Sequence, residues 1–208
     1  MNVDYLQIKL KELKLFLEVK YKAKTSLDVE RLYLSFLKEE IRMGTNYLNY
    51  EKDRDLYYLG NCYTYALGLP SQKEFIEKFI ALGDDEVFPF NCGFTNTTKN
   101  YFLAQDAQGI LKNFYDDCSI LGIQIFDSEI DSPNYHNGYK IVLYLSFYHS
   151  VCNDFHFIRQ NLGDGTWSDK IGYFGPIRKL EFPNPFSSHY QYFKTFEIVK
   201  PVIRERRK

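Results

Sequence analysis

The chain has 208 residues, a formal net charge of -1 and 25% charged residues. This length suits one domain with a substantial core, and the share of charged residues is that of ordinary globular proteins, which argues against a disordered chain. A net charge so close to zero provides no excess of Lys and Arg to attract phosphates, so nucleic acid is not expected as a partner.

The chain also lacks the features of a membrane or exported protein. No run of about 18 apolar residues occurs, so no membrane span is expected. The first residues have neither the basic nor the apolar block of a secretory signal, which predicts a cytoplasmic protein; secretion without a signal, as an effector, is the alternative. The four cysteines form no Cys-x-x-Cys pair and are too sparse for a disulfide framework, in keeping with a reducing compartment.

Residues 1–50 predict a helical N-terminal extension. Apolar residues between Leu6 and Leu17 recur at helical spacing, and a second helix is expected after the capping-box pattern at 25–28, with Gly44 as its stop. No catalytic residue types stand together there, so we interpret this part as a scaffold or lid, with partner binding as the alternative. Residues 51–208 are expected to form the main domain.

Cys62 is predicted to begin a short helix. Gly60 and Asn61 interrupt the preceding pattern, and Asn is a favourable N-cap, so Cys62 falls in the first helical turn. Free backbone N–H groups at that place favour a negative charge and hence a thiolate. A lone cysteine is more commonly a small buried apolar residue. The histidine that follows further along the chain favours a nucleophile instead.

Helices are predicted first and strands afterwards, which indicates an α+β fold with a mostly antiparallel sheet. A β-branched and aromatic run at 139–148 is typical of a central strand, and the turn residues at 161–165 predict a hairpin loop. The predicted elements beyond residue 70 are helices at 71–80 and 105–119 and strands at 122–126, 139–148, 154–159, 166–170 and 193–199.

His156 lies in the predicted strand at 154–159 and is the candidate base for Cys62. The hairpin loop would bring Asp169, on the return strand, beside His156 on one face of the sheet. Its carboxylate would then accept a hydrogen bond from the ring nitrogen that does not face the sulfur. Asp154 shares the face of His156 by the two-residue period of a strand and is the alternative third group.

Other candidate side chains have two interpretations each. Arg159 could hold a substrate carboxylate, or belong to ordinary cross-strand charge on a solvated face. Trp167 could stack on a substrate, or pack under the hairpin. A zinc site on His149, Cys152 and His156 is not expected, because these positions do not share a face cleanly and no second cluster completes the ligand set. No cofactor is predicted.

Two stretches of the chain resemble a known family. Residues 61–66 read Asn-Cys-Tyr-Thr-Tyr-Ala, and residues 156–160 with 164–172 read His-Phe-Ile-Arg-Gln and Asp-Gly-Thr-Trp-Ser-Asp-Lys-Ile-Gly. The order of a cysteine that begins a helix, a histidine on a strand and a polar residue across a hairpin resembles the NlpC/P60 branch of the papain-like fold. The stretches themselves resemble an uncharacterised bacterial group of this type. The resemblance covers roughly residues 57 to 180.

The resemblance implies a papain-like catalytic domain at 51–208, with Cys62 as nucleophile, His156 as base and Asp169 as the group that orients it. The chain departs from the group at Asp169, where the group carries histidine, and at Ile171, where it carries proline. The papain-type glutamine of the oxyanion site is also missing upstream of Cys62. A hydroxyl of Tyr57 or Tyr58, together with the Cys62 backbone N–H, is the candidate replacement.

These observations predict a cysteine hydrolase or acyltransferase that acts on an amide, peptide or thioester bond, carried by a peptide, an acyl compound or a protein. The alternative is a non-enzymatic protein-interaction module in which a papain-like fold has lost its active site, since Asp169 departs from the family pattern. The sequence leaves the substrate and the oligomeric state open.

Overall fold

A computed structural model of the chain describes residues 61–69, 91–93, 95, 106–162, 164–172 and 176–200. These residues form an α+β fold, as the sequence predicts, in which the strands build one antiparallel six-stranded sheet. The elements are α1 (Cys62–Ala66), α2 (Ala107–Leu121), β1 (Gln124–Ser128), β2 (Tyr139–Tyr148), β3 (Val151–Gln160), β4 (Trp167–Lys170), β5 (Ile177–Leu180) and β6 (Tyr190–Val199).

Several predictions concern residues outside the described ranges. These are the N-terminal extension at 1–50, the domain boundary at 51, the helix at 71–80, and both Tyr57 and Tyr58. Within the described ranges, the helix and strands predicted from residue 105 onward are present with boundaries displaced by a few residues, and β5 is an additional strand. The described part contains no helix that is long and apolar enough to cross a membrane.

The strand order in the sheet is β1-β6-β2-β3-β4-β5, so the last strand of the described chain is inserted beside the central hairpin. β2 and β3 form that hairpin through His149 and Ser150, whose φ angles of 48° and 64° are both positive. A two-residue turn of this kind matches the twist of the paired strands. β3 and β4 then pair only over Ile158–Gln160 and 167–169. The first part of β3, which contains His156, is therefore paired with β2 but not with β4.

The two faces of the sheet carry different cores. On one face, side chains such as Leu143, Phe157 and Phe196 pack against Tyr63 of α1 and Phe114 of α2. On the other face, a smaller cluster contains Val142, Tyr144, Ile158 and Trp167. Because successive residues of a strand face opposite sides, His156 and Asp169 lie on the face of Tyr144 and Ile158.

Gly138 marks a close approach between two chain segments. It precedes β2, and its backbone N–H donates to the carboxylate of Glu197 at 3.0 Å. A Cβ atom at this position would lie 2.3 Å from the backbone carbonyl oxygen of Ile198. The space between these backbones therefore admits no side chain.

We expect Gly138→Ala to lower the free energy of unfolding by about 2–3 kcal/mol, because the added methyl forces β6 away from the segment before β2. Gly165→Ala is the matched control: a Cβ there meets nothing within 4 Å, and only its φ of 70° opposes alanine, at a cost of about 1–2 kcal/mol. Urea unfolding of both variants measures the difference. Equal losses in the two variants would contradict the steric explanation.

Candidate active site

Cys62 is the first residue of α1, as the sequence predicts. The side chain of Asn61 caps the helix by accepting a hydrogen bond from the Thr64 backbone N–H at 3.0 Å. Cys62 is only 5% exposed, and its Sγ lies 4.0 Å from the backbone carbonyl oxygen of Phe155, to which it donates. The sulfur is therefore held beside the β3 backbone, one residue before His156.

Two polar contacts fix α1 on the sheet. Arg159 donates from Nη1 to the Tyr65 carbonyl oxygen at 3.1 Å, and its guanidinium lies 4.2 Å from the centre of the Tyr65 ring. The Tyr65 hydroxyl is 2.7 Å from the hydroxyl of Ser168 on β4. Since α1 contacts both β3 and β4, these bonds set the position of Cys62 relative to the strands.

His156 and Asp169 are joined by a buried hydrogen bond. Nε2 of His156 lies 2.7 Å from Oδ2 of Asp169, and the two residues are 2% and 0% exposed. Asp169 is not directly opposite His156 but opposite Ile158, so the two side chains meet diagonally on one face. Because Nε2 is engaged by the carboxylate, Nδ1 is the ring nitrogen that remains for Cys62.

The Cys62 thiol lies near enough to the imidazole of His156 to affect its pKa. Burial by itself lowers the pKa of His156, but the hydrogen bonds to Asp169 and Cys62 and the negative charges of both outweigh this, and the pKa rises to about 9. Asp169 shows the converse: burial acts to raise the pKa of its carboxyl group, yet the hydrogen bonds to His156 and Arg178 hold that pKa below its ordinary value.

Arg178 completes this set of contacts, and the sequence analysis does not identify it. It stands on β5 directly opposite Asp169 and donates from Nε to Oδ1 at 2.9 Å and from Nη2 to Oδ2 at 2.5 Å. The side chain is 31% exposed, whereas the carboxylate beneath it is fully buried. The sequence could have indicated Arg178 only if both the four-residue strand β5 and its register with β4 had been predicted.

Aromatic side chains surround the other edges of the imidazole. Phe186 meets the His156 ring edge-to-face at 5.0 Å between centres, and Tyr190 lies tilted against it at 5.6 Å. The hydroxyl of Tyr190 donates to Oδ2 of Asp154 at 2.5 Å. Asp154 is thus engaged with Tyr190, and Asp169 is the carboxylate that holds His156. Phe186 is 42% exposed, so the histidine lies directly beneath a partly open aromatic surface.

Besides Arg178, a second positively charged side chain, that of Lys170, lies near Cys62. Lys170, the last residue of β4, is fully buried and donates from Nζ to the Gly172 carbonyl oxygen at 2.9 Å. Burial lowers the pKa of Lys170 to about 8, with a partly opposing contribution from the charge of Cys62. The ammonium group therefore adds positive potential near the sulfur without the exposure that a substrate-binding lysine would need.

Two of the predicted substrate-binding residues, Arg159 and Trp167, are buried. Arg159 is fully buried between α1 and β3, so the expectation of a solvated face is wrong for this residue, and it presents no surface for a substrate carboxylate. Trp167 is 6% exposed and packs with Val142, Tyr144 and Ile158, which is the packing interpretation of its role. Tyr57 and Tyr58 lie outside the described residues.

A thiol, an imidazole and a carboxylate are the groups required for nucleophilic acyl transfer, and the site brings Cys62, His156 and Asp169 into one region of the fold. Within the described residues, no group of three or more His, Cys, Asp or Glu side chains lies close enough together to bind a metal ion. Comparisons with known proteins find no matching family model, no matching curated protein and no matching solved structure. The chemistry of the site therefore has to be inferred from its own geometry.

Proposed function

We propose that the chain is a cysteine hydrolase or acyltransferase of the papain-like, NlpC/P60-like type, which acts on an amide, peptide or thioester bond through an acyl-enzyme on Cys62. The observation that carries this proposal is that the Cys62 sulfur lies at the Phe155 carbonyl, one residue before His156, whose imidazole is bound to the buried Asp169 carboxylate. Cys62, His156 and Asp169 are each at most 5% exposed, so water competes little with these contacts.

In the first half-reaction, the Cys62 thiolate attacks the carbonyl carbon of the substrate. A carbon–sulfur bond forms, and the carbonyl electron pair moves to oxygen. When the tetrahedral intermediate collapses, the bond to the leaving nitrogen or sulfur breaks, and the imidazolium of His156 gives its proton to the leaving group. The products are a thioester on Cys62 and a neutral His156.

In the second half-reaction, the neutral imidazole of His156 takes a proton from water or from an acceptor nucleophile. The resulting oxygen or nitrogen nucleophile attacks the thioester carbon, and the carbon–sulfur bond breaks. The thiolate of Cys62 returns beside the imidazolium, which restores the starting state. Hydrolysis and acyl transfer differ only in the acceptor, and the site as described admits both.

The electrostatics of the site support these roles. With a pKa of about 9, His156 is protonated at neutral pH, and a positive charge in contact with sulfur favours the thiolate. Asp169 is ionised and engages Nε2, which fixes the imidazole and leaves its other nitrogen available to Cys62. The position of Cys62 in the first turn of α1 also favours negative charge at the same place.

The papain-like assignment has coarser support. The described fold is α+β with an antiparallel sheet, and the three candidate groups come from a helix start, a strand and the next strand of a hairpin, in that chain order. This is the arrangement that the motif resemblance implies. The positions of Cys62, His156 and Asp169 agree with it. The candidate oxyanion residues, Tyr57 and Tyr58, lie outside the described residues.

A non-enzymatic interaction module is the second candidate, and the exposed aromatic residues favour it. Tyr148, Phe182 and Tyr192 are 67%, 65% and 49% exposed, and Phe182 and Tyr192 belong to the same region of the chain as Phe186 and Tyr190. Large exposed aromatic side chains are common in protein-binding surfaces. In this reading the buried His156–Asp169 pair would only stabilise the fold.

Covalent labelling distinguishes the two candidates. We expect an acyl probe with a good leaving group, such as a p-nitrophenyl ester, to acylate the wild-type chain at one residue and release nitrophenol in a burst of one equivalent. Cys62→Ala should abolish the burst, because the nucleophile is lost. Cys152→Ala, which removes another buried thiol, should leave it unchanged. Mass spectrometry locates the adduct, and labelling that persists in Cys62→Ala would reject the enzyme.

A further inference from the structure

Arg178 extends the candidate site beyond its three predicted members. Its guanidinium grips both oxygens of Asp169, at 2.9 Å and 2.5 Å, and it does so from the strand directly opposite. Oδ2 of Asp169 is shared, since it also binds Nε2 of His156. We propose that Arg178 is a positioning residue that orients Asp169 and moderates its effect on His156. The part of Arg178 in catalysis rests on the proposed function, whereas its electrostatic effect on His156 does not.

The geometry of the pair supports an orienting role. A guanidinium that binds a carboxylate through two parallel N–H bonds fixes the plane of that carboxylate, which one bond cannot do. Asp169 sits on the short strand β4, and its own side chain could otherwise rotate about two bonds. With both oxygens held, Oδ2 stays 2.7 Å from Nε2, and the imidazole is kept in one orientation in which Nδ1 is the nitrogen not bound by Asp169.

The charges of the site support the second part of the proposal. The reactive state contains a thiolate on Cys62, an imidazolium on His156 and a carboxylate on Asp169, which together carry one net negative charge. Arg178 supplies a positive charge at the Asp169 end of the series, as the buried Lys170 does at the Cys62 end. A net charge is costly to bury, and the first three residues are all buried. The guanidinium, at the partly exposed end of the series, therefore allows the buried ion pairs to coexist.

Arg178 also affects how readily His156 gives up its proton. The titratable groups near the imidazole or the sulfur come from every neighbouring element. They are Cys62 of α1, Asp154 of β3, Asp169 and Lys170 of β4, and Tyr190 of β6. Arg178 of β5 acts indirectly, through its contact with Asp169. Asp169 and Cys62 stabilise the imidazolium, whereas the guanidinium weakens the pull of Asp169. A histidine whose pKa is too far above neutral is a poor acid toward a leaving group.

The experiment is an NMR titration of His156 in the full chain. The chain has four histidines, so a His156→Gln spectrum assigns the signal. We expect Arg178→Met to raise the pKa of His156 by about one unit, because one positive charge is removed. Asp169→Asn should lower it. Lys179→Met is the matched control: it removes one positive charge from the next residue of β5, where the partner is the exposed Asp164. It should leave His156 unchanged.

Arg178→Lys keeps the charge but loses the paired hydrogen bonds, and should raise the His156 pKa by less than Arg178→Met does. If Arg178→Met does not fold, Arg178→Gln removes the same positive charge, and an unaltered His156 pKa in Arg178→Gln would then overturn the proposal. An unchanged or lowered pKa in Arg178→Met overturns it directly. Both results leave the function test untouched, because that test measures acylation of Cys62 in the wild-type chain.

Discussion

Replacing His156 with alanine is expected to slow the alkylation of Cys62 by iodoacetamide about 10- to 100-fold at pH 7. The imidazolium in contact with sulfur favours the thiolate, which is the species that reacts. Removing the adjacent charge and base is therefore expected to lower the share of reactive thiolate and hence the rate. The measurement is the rate of modification at Cys62, followed by mass spectrometry of the intact and digested chain.

The pH dependence of this effect has a definite sign. The pKa of His156 is raised to about 9, so the imidazolium is present at neutral pH and is lost as the pH rises through 9. The ratio of wild-type to His156→Ala rates should therefore be large at pH 7 and approach one at about pH 10, where ordinary thiols ionise without help. A ratio that stays constant across this range would indicate a steric effect of the variant and not the loss of an ion pair.

His149→Asn is the matched control for the alkylation experiment. His149 lies in the turn between β2 and β3, far along the hairpin from Asp169, and has a φ of 48° that asparagine tolerates well. This variant should alkylate at the wild-type rate. If His156→Ala and wild type were equally reactive at pH 7, His156 would not act as the partner of Cys62, and the interaction-module candidate would be favoured.

Asp117→Ala is expected to have the largest effect on stability, a loss of about 3–5 kcal/mol in the free energy of unfolding. The carboxylate is fully buried in α2 and accepts four hydrogen bonds: from the Tyr63 hydroxyl at 2.7 Å, the Gly93 N–H at 2.6 Å, the Thr95 N–H at 3.0 Å and the Thr95 hydroxyl at 2.5 Å. Alanine leaves these buried donors without an acceptor, and each unpaired donor costs about 1–3 kcal/mol, less when several share one site.

The neighbouring Asp116→Ala is the control. Asp116 pairs with Lys112 one helical turn away, and both side chains are exposed, so its loss should cost no more than about 0.5 kcal/mol. Asp117→Asn removes the charge and one of the two acceptor atoms, because its Nδ2 would face donors and cannot accept, so an intermediate loss is expected. Urea unfolding of the three variants measures these differences. A loss below 1 kcal/mol in Asp117→Ala would show that this network contributes little to the stability of the fold.

The Asp117 network also bears on the candidate site. It ties Tyr63, the residue after Cys62, to α2, Gly93 and Thr95. Burial raises the pKa of Asp117, although these hydrogen bonds act to lower it. We therefore expect Asp117 variants to disturb the position of α1 and to slow the acylation of Cys62 as well as reduce stability.

The sequence alone located the features that depend on neighbouring residues. Asn61 as a cap, Cys62 in the first helical turn, the strand that carries His156 and the hairpin toward Asp169 all follow from side-chain hydrogen bonds or periodicity within a few residues. The α+β class follows from the order of such elements. The roles of these residues in catalysis stay predictions.

The tertiary structure decided what depends on register and burial. Arg178 could not be assigned to Asp169 without the pairing of β4 with β5, and Arg159 was expected near solvent because a charged residue on a strand usually faces it. Tyr190 and Phe186 reach His156 only because β6 is inserted next to β2. Contacts of this kind join segments far apart in the chain, and local propensity carries no information about which of many alternative pairings buries most surface and satisfies most polar groups.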